Sequence, residues 1–162
     1  DCLSREPTLM RMRPRRRFIT ALAGLGALPL LAATRGRAAE TNDLAPLIEK
    51  ITAGKSVSEQ RVVVDTPRLA DNGHSVPLKL SVESPMTAAD HVVAITLLSE
   101  RNPRPVIATY HLGPRCGKAV VATRVRLNGT QRLVAIAQLS DGSFRSGSAE
   151  VVVTESACLD ES

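Results

Sequence analysis

Two apolar, β-branched runs meet at an Asn-Gly pair: KAVVATRVRL over 118–127, NGTQ over 128–131 and RLVAIAQL over 132–139. Asn-Gly adopts the left-handed backbone of a two-residue turn at low cost, so the stretch predicts two antiparallel strands joined by a tight hairpin. Asp141-Gly142 repeats the signal and leads into a further strand, Phe144 to Thr154. Upstream, Val76, Leu78, Leu80 and Val82 alternate with Pro77, Lys79, Ser81 and Glu83, the period of a half-buried strand. Val92 to Glu100 is apolar on both faces, as expected near the middle of a sandwich. Arg61 to Thr66 and Val106 to Leu112 complete the strands. Asp71-Asn72-Gly73, Ser84-Pro85-Met86-Thr87, Arg101-Asn102-Pro103-Arg104-Pro105 and Gly113-Pro114-Arg115-Cys116-Gly117 break the pattern as turns and loops. Leu44, Leu47, Ile48 and Ile51 fall at helical spacing, with Asn42 or Thr41 as cap and Gly54 as stop. The expected fold is all-β, an immunoglobulin-like β-sandwich of about seven strands with a short N-terminal helix over Asn42 to Ala53. The cysteine pair and tryptophan of antibody domains are absent. Tyr110 and Phe144 are the only aromatics after residue 40, so the core must be aliphatic.

The first 38 residues read as an over-extended start, including Cys2, followed by an export signal. Arg15-Arg16-Arg17-Phe18-Ile19 has the twin-arginine form, Phe18 to Ala33 is an apolar run too short for a membrane span, and small residues surround Ala38. The expected location is the periplasm, with no stable membrane insertion after cleavage. Eight of the 21 basic and two of the 16 acidic residues precede residue 40, which leaves 13 positive and 14 negative charges for the rest. That near-neutral remainder has no basic patch with interleaved aromatics, so nothing supports nucleic-acid binding. The organisation expected is 1–38 start and signal, 39–60 helix and linker, 61–154 sandwich, and 155–162 a C-terminal arm.

The arm carries the one group whose setting suggests chemistry, Cys158. Ser156 and Ala157 are small neighbours, and five extended residues from Val153 would span about 17 Å. A thiol presented in this way can hold sulfur covalently. Leu159 adds bulk, while Asp160 and Glu161 place negative charge beside the sulfur and should push its pKa up. The spacing alone leaves an incidental tail cysteine equally open. Cys116 is a possible second thiol, and a Cys116–Cys158 bridge would tie the arm down. His74, His91 and His111 are scattered and read as surface residues; His111 with Cys116 makes a weak zinc signal. No nucleophile triad, phosphate loop or catalytic carboxylate pair stands out, so no catalytic residue, metal or cofactor is expected.

Over Val76 to Thr154 the chain resembles the SoxY family, the sulfur-carrier subunits of bacterial thiosulfate oxidation. The resemblance rests on Val82-Glu83-Ser84-Pro85-Met86-Thr87, Asn102-Pro103-Arg104-Pro105, Gly117-Lys118-Ala119, Thr123-Arg124-Val125-Arg126-Leu127, Thr130-Gln131 and Ser140-Asp141-Gly142. It implies a heterodimer with a SoxZ-like subunit, sulfur cargo attached covalently to Cys158, and cargo processing by Sox-type cytochrome and hydrolase enzymes. Thiosulfate-carrying members end in Gly-Gly-Cys-Gly-Gly. Ser156-Ala157-Cys158-Leu159-Asp160 is closer to a related branch with an Ala-Ala-Cys-Ile-Glu arm. The alternative expectation is a non-catalytic interaction subunit whose arm cysteine is locked in a structural disulfide.

Overall fold

The computed structural model describes residues 41–156. The expected export signal and Ala157, Cys158, Leu159 and Asp160 therefore lie outside the described residues. In chain order these form α1 (Ala45–Thr52), β1 (Val57–Ser58), β2 (Val62–Asp65), β3 (Leu69–Asn72), β4 (Val76–Val82), β5 (Val92–Ser99), β6 (Val106–His111), β7 (Ala119–Val125), β8 (Gln131–Leu139) and β9 (Phe144–Glu155). A 3-10 turn, Pro114–Cys116, precedes β7.

Strand β4 shows how the sequence builds the sandwich. Val76, Leu78, Leu80 and Val82 are at most 6% exposed, while Pro77 and Lys79 between them face solvent. β4 pairs antiparallel with β2 and β7 to make a three-stranded sheet. The facing sheet runs β1-β9-β8-β5-β6, with β3 also paired to β9. Between them lies an aliphatic core of Val64, Leu78 and Leu80 from one side and Ile95, Leu97, Leu133, Ala135 and Val151 from the other. This is the all-β, immunoglobulin-like sandwich that the alternation predicts.

The apolar faces of β5 and β8 have a specific cause. Their inward residues enter the main core, whereas Leu98, Val134 and Ile136 point outward and form a second cluster with Phe144 and Leu44. Leu47, Ile48 and Ile51 of α1 pack on that cluster. The helix thus covers an otherwise wet apolar sheet face. It begins later than Asn42: Leu44 occupies the N-cap position and Asp43 Oδ1 accepts from the Ala45 amide at 3.0 Å. Ala53, at φ 52°, closes it with its amide on the Glu49 carbonyl.

Three sequence expectations need correction. Asp141-Gly142 does turn a hairpin between β8 and β9, but Asn128-Gly129 does not join hairpin partners. β7 pairs with β4 in one sheet and β8 with β5 and β9 in the other, so the chain crosses between layers at Asn128-Gly129. Leu127 turns fully into the core and its amide bonds to the Gly73 carbonyl, while Gly129 at φ 78° supplies the positive dihedral. The same backbone preference serves a sandwich corner instead of a hairpin. Asp71 and Asn72, expected in a turn, belong to β3. The described strands number nine, not about seven, because the short β1 and β3 pair in parallel along β9.

Between those two pairings β2 crosses the same strand at Gly147. A Cβ there would sit 2.1 Å from the Val62 carbonyl oxygen, which belongs to rigid backbone. Gly147→Ala should therefore cost about 2–3 kcal/mol in urea unfolding, through overpacking. Gly113→Ala, where a Cβ would meet nothing within 4 Å, should change stability by less than about 0.5 kcal/mol.

Candidate functional site

The strands have two ends, and the chain divides its chemistry between them. At one end β9 runs past the level of β8 and finishes at Glu155. Asn72 pairs with Glu155, and the Gly73 amide donates to the Glu155 carbonyl at 2.7 Å. On the other side the Thr130 hydroxyl donates to the Val153 carbonyl and accepts from the Val153 amide at 3.0 Å. The Ser156 hydroxyl then donates to Asn128 Oδ1. Ser156 was expected in a free arm, but it is bound to the body. The chain beyond it reaches Cys158 in two residues, or at most about 7 Å. That replaces the reach of about 17 Å counted from Val153.

Asn128 is itself held by a polar network built from the loop after β5 and the crossover before β8. Its side-chain amide donates to the Arg101 carbonyl at 3.1 Å, and its backbone amide donates to Asn102 Oδ1 at 2.9 Å. Gln131, 5% exposed, is the hub. Its Oε1 accepts from the Ser99 hydroxyl and from the Arg101 amide, and its Nε2 donates to Asn102 Oδ1 and the Gly129 carbonyl. Asn102 reaches further, donating from Nδ2 to the Arg126 carbonyl at 2.8 Å. Its carbonyl also accepts from Asn42 Nδ2 at 2.9 Å, which links the start of the helical segment to the same network. Several half-buried amides and hydroxyls thus satisfy one another, which fixes a single arrangement of two loops.

Cys116 lies at the opposite end, exposed and free in the 3-10 turn that leads into β7. The six steps of β7 from Ala119 to Val125 alone cover about 20 Å. A disulfide needs its Cα atoms within about 7 Å, and the tether beyond Ser156 adds only about 7 Å more. Cys116 and Ser156, the last described residue, therefore stand at opposite ends of the strands. His111 is exposed at that same far end, and among the described residues no group of three or more His, Cys, Asp or Glu could hold a metal ion. Ser84, Met86 and Thr87 also close the far end: Met86 is buried at φ 50°, and its sulfur accepts from the Val92 amide. A separate cleft of about 680 Å³ lies beside α1, lined by Ile48, Val134 and Ile136 with Glu59, Arg61 and Arg132 among its polar residues.

The family model described as "Sulfur oxidation protein SoxY" matches residues 48–158, from within α1 to Cys158 itself. The chain belongs to the SoxY family. Among solved structures it is similar to the sulfur carrier protein SoxY from Chlorobium limicola f thiosulfatophilum, at 24% identity and a TM-score of 0.58. That match covers 68% of this chain and 90% of the other. Superoxide reductase (neelaredoxin) from Ignicoccus hospitalis is similar at 18% identity and TM-score 0.52, over 58% of this chain and 80% of that one. Superoxide reductase from Nanoarchaeum equitans matches at 12% and 0.50, over 59% and 100%. These likenesses show the fold. No curated protein matches the chain. Of the residues that carry the resemblance, Asn102, Thr130 and Gln131 lie in the network at the end of β9, whereas Ser84-Pro85-Met86-Thr87 closes the far end of the core.

Sequence reasoning named Ser156 but missed Ser99, Asn128 and Gln131 as the network that holds it. Asn128-Gly129 carried a signal, read as turn chemistry alone. Replacing Gln131 with Leu would leave the Ser99 hydroxyl and the Arg101 amide without their acceptor, so Gln131→Leu should lower stability by about 2–4 kcal/mol in chemical denaturation. A non-reducing mass map of the folded chain should contain no intrachain Cys116–Cys158 linkage.

Proposed function

We propose that the protein is a sulfur carrier that bears its cargo covalently on Cys158 and presents it to other proteins. The observation that supports this most is the SoxY family match, which extends to Cys158, together with the platform that holds Ser156 two residues before it. A thiolate on a short tether can accept sulfur as a persulfide, disulfide or thiosulfonate-type adduct and expose it to an enzyme's active site. The chain itself is read as non-catalytic, working in the periplasm after twin-arginine export. Its reading as one half of a heterodimer with a SoxZ-like subunit, served by Sox-type cytochrome and hydrolase enzymes, follows from the family.

The arm residues refine the reading. Leu159 and Asp160 stand where thiosulfate-carrying members have glycine, so Ser156-Ala157-Cys158-Leu159-Asp160 is suited to a wider or differently charged active-site entrance. That supports reading the chain with the Ala-Ala-Cys-Ile-Glu branch. The separation of the two thiols within one chain argues against an arm locked by Cys116.

Intact-mass analysis of protein purified from its own cells without reductant tests the proposal. The expected result is reducible mass additions of sulfur-containing groups that disappear in Cys158→Ala. Protein isolated unmodified from cells grown on every sulfur source tried would overturn it.

A further inference from the structure

We propose that Arg101, Arg104 and Arg126 form an anion-binding rim at the root of the arm, which takes the negative end of a sulfur oxyanion group reacting at, or carried on, Cys158. The inference rests on the carrier reading and assigns it a charge-selecting site on the body of the domain.

Arg101 gives the first reason. Its Nη1 donates to the Thr130 carbonyl at 2.9 Å and lies 3.7 Å from where a Gly129 Cβ would stand, so the guanidinium is spread over the crossover. Its Nε is buried and has no acceptor. A cationic donor left without an acceptor is costly, and it is rare in folded proteins except where it serves a ligand or a function.

The network supplies the second reason. Asn102 bonds to the Arg126 carbonyl, and Asn128 bonds to both the Arg101 carbonyl and the Ser156 hydroxyl. The backbones of Arg101, Arg126 and Ser156 are therefore gathered at one end of the sandwich, with exposed Arg104 two residues beyond Asn102. Cys158 can lie at most about 7 Å from Ser156, and an extended arginine side chain spans a similar distance. Asp71 and Glu155 are the carboxylates on the neighbouring β3–β9 edge, and both are exposed.

The third reason is chemical need. Asp160 and Glu161 follow the thiol closely in sequence, and alone they would repel any anionic sulfur compound approaching it. Three guanidinium groups on the adjoining rim offset that repulsion and favour oxyanions by paired N–H donors.

The test compares two reagents on the full mature chain carrying Cys116→Ser, so that one thiol reports. In tetrathionate, a dianion, the Cys158 thiolate attacks a central sulfur and displaces thiosulfate, leaving a thiosulfonate on the protein. Neutral 4,4′-dithiodipyridine reports thiolate availability and access without the charge. Two unit charges within about 10 Å in water interact by about the thermal energy, so each arginine removed should slow the anionic reagent about twofold. The Arg104→Gln/Arg126→Gln variant, with both side chains exposed, should lower the tetrathionate-to-dithiodipyridine rate ratio about fourfold at low salt and by much less at 0.5 M salt. Arg101→Gln, read beside its unfolding midpoint, should lower the same ratio at least twofold.

An unchanged ratio in both variants, or equal slowing of both reagents, would overturn the rim. A Cys158 that reacts with neither reagent would overturn it too. Adducts on Cys158 in protein from cells, together with an unchanged ratio, would reject the rim and leave the carrier reading standing. A lowered ratio with no adduct ever recovered would do the reverse.

Discussion

The amide of Gln131 is the constraint on which one whole end of the sandwich depends. It joins Ser99 at the end of one strand, Arg101 and Asn102 in the following loop, and Gly129 in the crossover, four points that the hydrophobic core does not reach. An apolar side chain at that place would fill the space but leave the loop amides unpaired. A satisfied polar cluster costs something to dehydrate and returns a unique geometry. Here the geometry returned is a platform: Asn102 hangs from Gln131, Asn128 hangs from Asn102 and the Arg101 carbonyl, and Ser156 hangs from Asn128.

The rest of the fold serves to make that end rigid. The two sheets meet through Val, Leu, Ile and Ala, with Phe144 buried beneath the helix and Tyr110 only partly buried against the main core. Aliphatic cores pack closely when strands alternate cleanly, as β4 does. The close crossing at Gly147 lets β2 approach β9 between the segments paired by β1 and β3, so one edge of β9 is covered along much of its length. β9 is thereby paired on both sides, by β8 along one edge and by β1 and β3 along the other.

Most of the sandwich was legible in the sequence because a period of two writes burial directly into residue order. Val76 to Val82 was readable for that reason, Val92 to Ser99 by its unbroken apolar run, and the helix by an apolar stripe that repeats at 3.6. What could not be read was which strands pair. Asn128-Gly129 specifies a backbone dihedral, and both a hairpin and a layer crossing require it; the choice is made by Leu127 entering the core and by Asn102 capturing Asn128 from 26 residues away. The latch on Ser156 was hidden for a similar reason. A serine between a strand and a cysteine looks like linker until its hydroxyl finds a partner 28 residues back in the chain. Cys158 could be singled out because it needs no tertiary partner to be noticed.

The exposure of Cys116 at the end of the strands away from Ser156 carries a consequence for assembly. Sulfurs that cannot meet within one molecule can still meet between two, and a bond from Cys116 of one copy to Cys158 of the next would join unlike ends. Two copies laid antiparallel could form that bond twice and close about a twofold axis, whereas copies laid head to tail would leave a sulfur open at each end and extend as a chain.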